Sequence, residues 1–174
     1  MTDEMIETPV SADDLVPAAD DQILLRRTFG CFPKGVVAVC AHIDDRPVGL
    51  TMSSFTSVSL EPPLVSICVM RSSRRWTLLR SAHRLGLSVL AREHEQLCRR
   101  LASADSEVFD GEYVTPEGAV LLPGATAWLD CSLHAEVDAG DHTIAVLQVH
   151  RLRARPVHTP LVYHASKFHH LATT

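Results

Sequence analysis

From Ala127 to Asp138 the chain alternates strictly. Trp128, Asp130, Ser132, His134 and Glu136 fall on one parity, and Leu129, Cys131, Leu133, Ala135 and Val137 on the other. A period of two sends successive side chains to opposite faces, so this segment reads as a long, half-buried β-strand. Ala139-Gly140-Asp141 turns the chain, and His142 to Arg153 runs back as a second long strand. So short a turn makes the two strands an antiparallel hairpin.

The remaining periodic segments agree with a sheet. Val36 to Ile43 is short and β-branched, Asp44-Asp45-Arg46-Pro47 is a turn, and Val48 to Thr51 returns as a strand. Leu64 to Met70 and Leu85 to Ala91 are strands by the same signs, and Leu161 to His164 closes the sheet. Three helices are brief. Asp20 to Phe29 has Asp20 as N-cap and a stripe of Ile23, Leu24, Leu25 and Phe29; Gly30, Pro33 and Gly35 end it. Arg74 to Ala82 starts after Ser72 or Ser73 as cap, and Glu93 to Ala102 turns Leu97, Cys98 and Leu101 inward. Asp105 to Gly118 is polar and irregular. Many short strands with few helices predict a mainly β barrel. No GxGxxG or Walker motif follows any strand, so a Rossmann reading has no anchor.

Charge and cysteines narrow the setting. The net charge of −5 is concentrated at one end: Met1 to Asp21 holds seven acidic residues and no Lys or Arg. Without them sixteen basic residues stand against fourteen acidic ones, a body of about +2. Residues 1–19 therefore read as a disordered acidic tail and 20–174 as one folded domain, with no case for nucleic acid. No apolar run approaches the ~18 residues of a membrane span, so no membrane contact is expected. Cys31, Cys40, Cys68, Cys98 and Cys131 form no CxxC pair; the odd count reads as buried thiols of a cytoplasmic protein without a metal site. His164, His169 and His170 fit no common zinc spacing and suit a surface helix or a dimer edge.

Two stretches carry chemistry. From Thr51 to Ser59, six of nine residues bear a hydroxyl and none bears a charge. Such residues offer short neutral donors and acceptors to a flat, polar, partly anionic ligand. On spacing alone they read first as a half-exposed strand with its polar face to water. Ser72 and Ser73 precede a helix flanked by Arg71, Arg74 and Arg75, which suits a phosphate or is a solvated Arg-rich turn.

The run Gly49-Leu50-Thr51-Met52-Ser53-Ser54-Phe55-Thr56-Ser57-Val58-Ser59-Leu60-Glu61-Pro62-Pro63-Leu64-Val65 resembles the signature of the flavin reductase-like family. These are small NAD(P)H:flavin reductases that serve two-component monooxygenases. Ser73-Arg74-Arg75-Trp76, Phe109-Asp110-Gly111, Gly140-Asp141-His142 and Pro160-Leu161-Val162-Tyr163-His164 match further family segments in order, over about Phe29 to Leu171. Ser106-Glu107-Val108-Phe109 departs from the family by lacking a basic residue, and no role is assigned there.

The resemblance implies an FMN-binding split barrel, a Greek-key β-barrel with a few short helices, working as a homodimer with flavin near the interface. It implies hydride transfer from NADH or NADPH to FAD or FMN, and reduced flavin passed to a partner monooxygenase. By the same likeness Thr51, Met52, Ser53 and Ser54 face the isoalloxazine, and Ser57, Val58 and Ser59 approach the ribityl chain or phosphate. Ser72, Ser73 and Trp76 meet the flavin phosphate or adenine. His142 sits over the nicotinamide, and Tyr163 and Phe168 complete that wall. The cofactor carries the reaction and the protein supplies position and polarity, so no catalytic triad is expected. A flavin- or haem-binding barrel without turnover is the alternative. A deazaflavin or pyridoxamine-phosphate oxidoreductase is a third, less consistent with the hydroxyl run and Gly140-Asp141-His142.

Overall fold

The structure, a computed structural model, describes residues 11, 14–18, 21–102, 109, 113–115 and 117–171. Most of the expected acidic tail, and Asp110-Gly111, lie outside these residues.

The described chain enters through helix α1 (Gln22–Gly30). Its N-cap is Asp21, whose carboxylate accepts from the N–H groups of Ile23 and Leu24, so the expected cap at Asp20 moves by one residue. Strands β1 (Lys34–Gly35) and β2 (Val37–Ile43) follow, then β3 (Arg46–Met52). The β2–β3 turn is only Asp44-Asp45, both at positive φ, so Arg46 and Pro47 belong to the strand rather than the turn. Next come β4 (Thr56–Leu60), β5 (Pro63–Met70), helix α2 (Arg74–Leu79) and β6 (Leu85–Val89). Ser73 caps α2, its hydroxyl accepting from the Trp76 N–H. A 3-10 turn (Arg92–His94) leads into α3 (Glu95–Ala102). Strands β7 (Tyr113–Val114) and β8 (Val120–Leu121) precede the long hairpin of β9 (Ala127–Ala139) and β10 (His142–Ala154); β11 (Leu161–His164) and β12 (Lys167–His170) end the chain.

Seven strands form one antiparallel sheet in the order β3-β2-β6-β9-β10-β5-β4. The Ser54 hydroxyl, just past β3, donates to the Cys68 carbonyl and accepts from the Cys68 N–H, at 3.0 and 2.9 Å. One side chain thus imitates a backbone ladder pair and brings the end of β3 round to β5. Leu161–His164 does not close this sheet. It lies between β1 and β12 in a separate three-stranded sheet, and His169 sits on a strand rather than a surface helix.

β2 is buried on both faces over residues 37–41, which is why its sequence does not alternate. One face meets the barrel interior of Ile67, Leu85, Leu87 and Leu147, with Trp76 and Leu79 of α2 packed against it. The other meets Cys98 and Leu101 of α3, Val120 and Leu161. The β9–β10 register slips between Val146 and Leu147 and between Val149 and Arg151, leaving His134 and His150 unmatched. These bulges break the strict parity. Asp130, on the polar side of the sequence pattern, is 3% exposed and accepts from Arg151 Nε and Nη2. No helix among the described residues is long and apolar enough to cross a membrane.

Candidate functional site

Two open cavities of about 500 and 490 Å³ meet where β3 ends. Thr51, Met52 and Ala102 line both, so the tip of β3 and the last residue of α3 form a shared ridge. The first cavity continues over Val36, Ser53, Cys98, Arg99, Tyr163, Ser166 and Phe168. The second continues over Leu50, Cys68, Val69, Met70, Ser73, Arg74, Arg75, Leu101 and His142.

Local structure explains each placement. Thr51 and Met52 pair with Ala38 and Val37, so the β2 ladder fixes the backbone of the ridge. Helix α3 is fixed at its start by His94. Nδ1 accepts from the Ala91 N–H at 3.0 Å, so Nε2 carries the proton that reaches the Pro123 carbonyl at 2.9 Å. That anchoring presents Cys98, Arg99 and Ala102 to the first cavity. Tyr163 and Phe168 are cross-strand partners in β11 and β12, and their rings meet edge-on at 5.3 Å. The Arg99 guanidinium lies 5.0 Å from the Phe168 ring centre, and Glu95 accepts from its Nε and Nη2.

The first cavity joins an apolar floor of Val36, Met52, Ala102 and Phe168 to the hydroxyls of Thr51, Ser53 and Ser166. Among the described residues lining it, Arg99 alone is charged. Burial pushes the Cys98 thiol up, against a smaller opposing effect of its hydrogen bond with Thr51, so this wall stays neutral at ordinary pH. That donor set fits a flat, uncharged heteroaromatic with a polar edge. The second cavity is apolar at Leu50, Val69 and Met70 and cationic at its α2 end. His142 opens β10 opposite Met70, and its Nδ1 lies 2.7 Å from Asp141 Oδ1. A carboxylate only accepts, so Nδ1 carries the proton and Nε2 is left for a ligand. The same bond holds the Asp141 carboxyl below the usual carboxylate range.

The structure brings together Thr51, Met52, Ser53, Tyr163 and Phe168 around one cavity and Thr51, Met52, Ser73 and His142 around the other. Other expected residues are placed elsewhere. The Ser54 hydroxyl is committed to the Cys68 backbone. Ser57, Val58 and Ser59 lie on β4, an edge strand with a bulge at Val58, and line neither cavity. Ser72 is an exposed turn residue. Trp76 corrects the adenine-stacking expectation: it is 4% exposed in the barrel core, and its Nε1 donates to Glu136 Oε1 at 2.9 Å. An α2 stripe that buries Trp76 and Leu79 leaves no ring face for a ligand. Sequence reasoning missed Arg99 and Ser166. Arg99 adjoins the inward stripe of α3, a weak signal, and Ser166 sits in a β11–β12 turn that the pattern did not show.

Comparison with known proteins bears on the family and the fold. Residues 29–172 match the family described as flavin reductase like domain. A flavin reductase of Pseudomonas putida is 35% identical over 156 residues, covering 88% of this chain and 92% of the relative. The reductase subunit of a flavin-dependent monooxygenase of Rhodococcus jostii is 35% identical over 162 residues, covering 91% and 83%. The NADH:FAD oxidoreductase of Streptomyces globisporus, solved in complex with NAD and FAD fragments, superposes with a TM-score of 0.82 at 36% identity, covering 87% of this chain and 93% of that one.

Proposed function

The chain belongs to the flavin reductase-like family, and we propose that it is an NADH:flavin oxidoreductase that reduces FAD or FMN and supplies a separate monooxygenase component. The observation that carries this is the rim of Thr51 and Met52 shared by two cavities of similar volume, one hydroxylic with the single cation Arg99 and one cationic at its α2 end. Adjoining cavities with a shared rim would let two flat ligands meet face to face, as direct hydride transfer requires. When bound, the flavin supplies the hydride acceptor at N5 and NADH the donor at the nicotinamide C4.

The residues divide the work. Thr51, Met52 and Ser53 give the isoalloxazine a wall of hydroxyls and backbone amides, which stabilise negative charge as it develops on a reduced ring. Ser54 holds that wall in place through Cys68. On β4 the exposed Ser57 and Val58 and the half-buried Ser59 are offered to the ribityl chain. Ser73 and Arg74 line the second cavity beside His142 and give it polar and positive groups for a nucleotide phosphate; Ser72 extends that turn. His142 orients the nicotinamide through Nε2, with Asp141 fixing its ring. Tyr163 and Phe168 close the far side of the first cavity rather than the nicotinamide wall, since neither lines the second.

Two further features support the setting. No disulfide joins the five cysteines, which suits the cytoplasm. Helix α1 buries no residue, and Ile23, Phe29 and Phe32 stay 66%, 61% and 70% exposed, an apolar face that a homodimer would cover. The test is anaerobic stopped-flow reduction of FAD and FMN by NADH. His142→Ala is expected to slow reduction roughly 10–100-fold while flavin affinity stays within about twofold. An unchanged reduction rate would remove His142 from the nicotinamide site, and no reduction by the wild type would remove the function.

A further inference from the structure

The geometry points to Arg99 as the anchor for a nucleotide phosphate at the first cavity, with Glu95 setting how tightly that anchor holds. This rests on the flavin reductase reading of the cavity and adds a recognition element that the hydroxyl run does not contain. Arg99 is the one charged side chain among the described residues lining a cavity otherwise apolar or hydroxylic. A heteroaromatic ring needs no cation, whereas a ring carrying a phosphate does. The guanidinium is already positioned. Phe168 lies under it at 5.0 Å, and Glu95 accepts from Nε and Nη2 at 3.3 and 2.8 Å. Two of five N–H donors are thereby used and three are left for an incoming anion. Ser53 and Ser166 line the same cavity and supply neutral donors beside the charge.

The second cavity has its own cations. Arg75 there donates to the Leu101 carbonyl, while Arg74 lies on the exposed turn of α2. Each cavity therefore carries a positive group of its own, as two phosphate-bearing ligands require. Glu95 is a counter-ion one helical turn before Arg99. It partly neutralises the guanidinium, and the pair is substantially exposed, with side chains 64% and 35% accessible. Solvent and salt screen so exposed a guanidinium from a phosphate as well, and Glu95 offsets part of its charge, so the anchor is weak by construction. A weak anchor suits a protein that must release its flavin to a second component.

The experiment compares riboflavin, FMN and FAD, which share the ring and differ in phosphate. Binding is read by flavin fluorescence quenching, which needs no turnover, and KM by NADH oxidation. Arg99→Met is expected to weaken FMN and FAD about tenfold, and riboflavin by less than about twofold. Arg99→Lys, which keeps the charge and loses the fork, should recover part of the loss. Glu95→Gln should tighten FMN and FAD several-fold without tightening riboflavin. Reduced nicotinamide riboside, tested against NADH, assigns the phosphate. If the Arg99→Met loss follows NADH and spares the riboside, the anchored phosphate belongs to the donor. Equal losses for riboflavin and FMN, or no loss with any ligand, overturn the assignment. Normal riboflavin quenching in each variant shows that the cavity is folded. A wild type that quenches FMN but never oxidises NADH would sink the reductase reading and leave the Arg99 result standing.

Discussion

A serine hydroxyl has one donor and two lone pairs, and Ser54 spends both kinds on the Cys68 backbone. Ser54→Ala is expected to lower stability by about 1–2 kcal/mol, because the Cys68 N–H and carbonyl lose their partner. Thermal unfolding measures it, and an unchanged midpoint would show that the staple contributes nothing. The thiols separate in the same residue-by-residue way. Cys31 and Cys68 are exposed, while Cys40, Cys98 and Cys131 are buried. Burial pushes Cys98 up and, with Asp130 adjacent, pushes Cys131 up to about 12. The thiolate is the reactive species, so a disulfide reagent at pH 8 should titrate two thiols in the native protein and five after denaturation. Rapid reaction of a third would contradict the described burial. Neither distinction was written in the sequence. Ser53 and Ser54 are adjacent and chemically identical, and only the position of β5 decides which one faces a ligand.

At the scale of elements, the strands form because β-branched and alternating segments find neighbours, and one glycine shows how tight those neighbours are. A Cβ on Gly86 of β6 would stand 2.0 Å from the Val120 carbonyl oxygen of β8. That atom is backbone and has little room to yield. Gly86→Ala is expected to cost about 3 kcal/mol, a midpoint drop of roughly 6–12 °C. A stable Gly86→Ala protein would mean that β8 does not pack there. The long hairpin was legible because thirteen-residue strands leave a strong period-two trace. Its bulges at His134 and His150 were not, since an unmatched residue alters pairing without altering composition. Asp130 is the consequence. The pattern puts it outside, and the slipped register buries it against Arg151. β12 escaped notice because Lys167 to His170 lacks alternation and pairs only with the short β11.

For the whole molecule, the first cavity lies where β3, α3 and the small β1-β11-β12 sheet approach one another, and the second where β3, β5, β10 and helices α2 and α3 do, so no single segment contains the site. The uncovered face of α1 belongs to the same scale. Sedimentation velocity should give twice the chain mass of 19.1 kDa, and Phe29→Lys with Phe32→Lys should shift it toward the monomer. A wild type that sediments as a monomer at tens of micromolar would remove the homodimer. The sequence by itself determined the β class and the hairpin about Gly140, and it carried the family resemblance in the run from Gly49 to Val65. The first two follow from local periodicity and turn chemistry, which need no distant partner to be read. Tertiary structure alone decided that Trp76 is core, that Ser54 is a staple, and that Arg99 stands over the first cavity. Which way a side chain faces depends on what packs opposite it, and in this barrel the opposing atoms come from strands and helices far away along the chain.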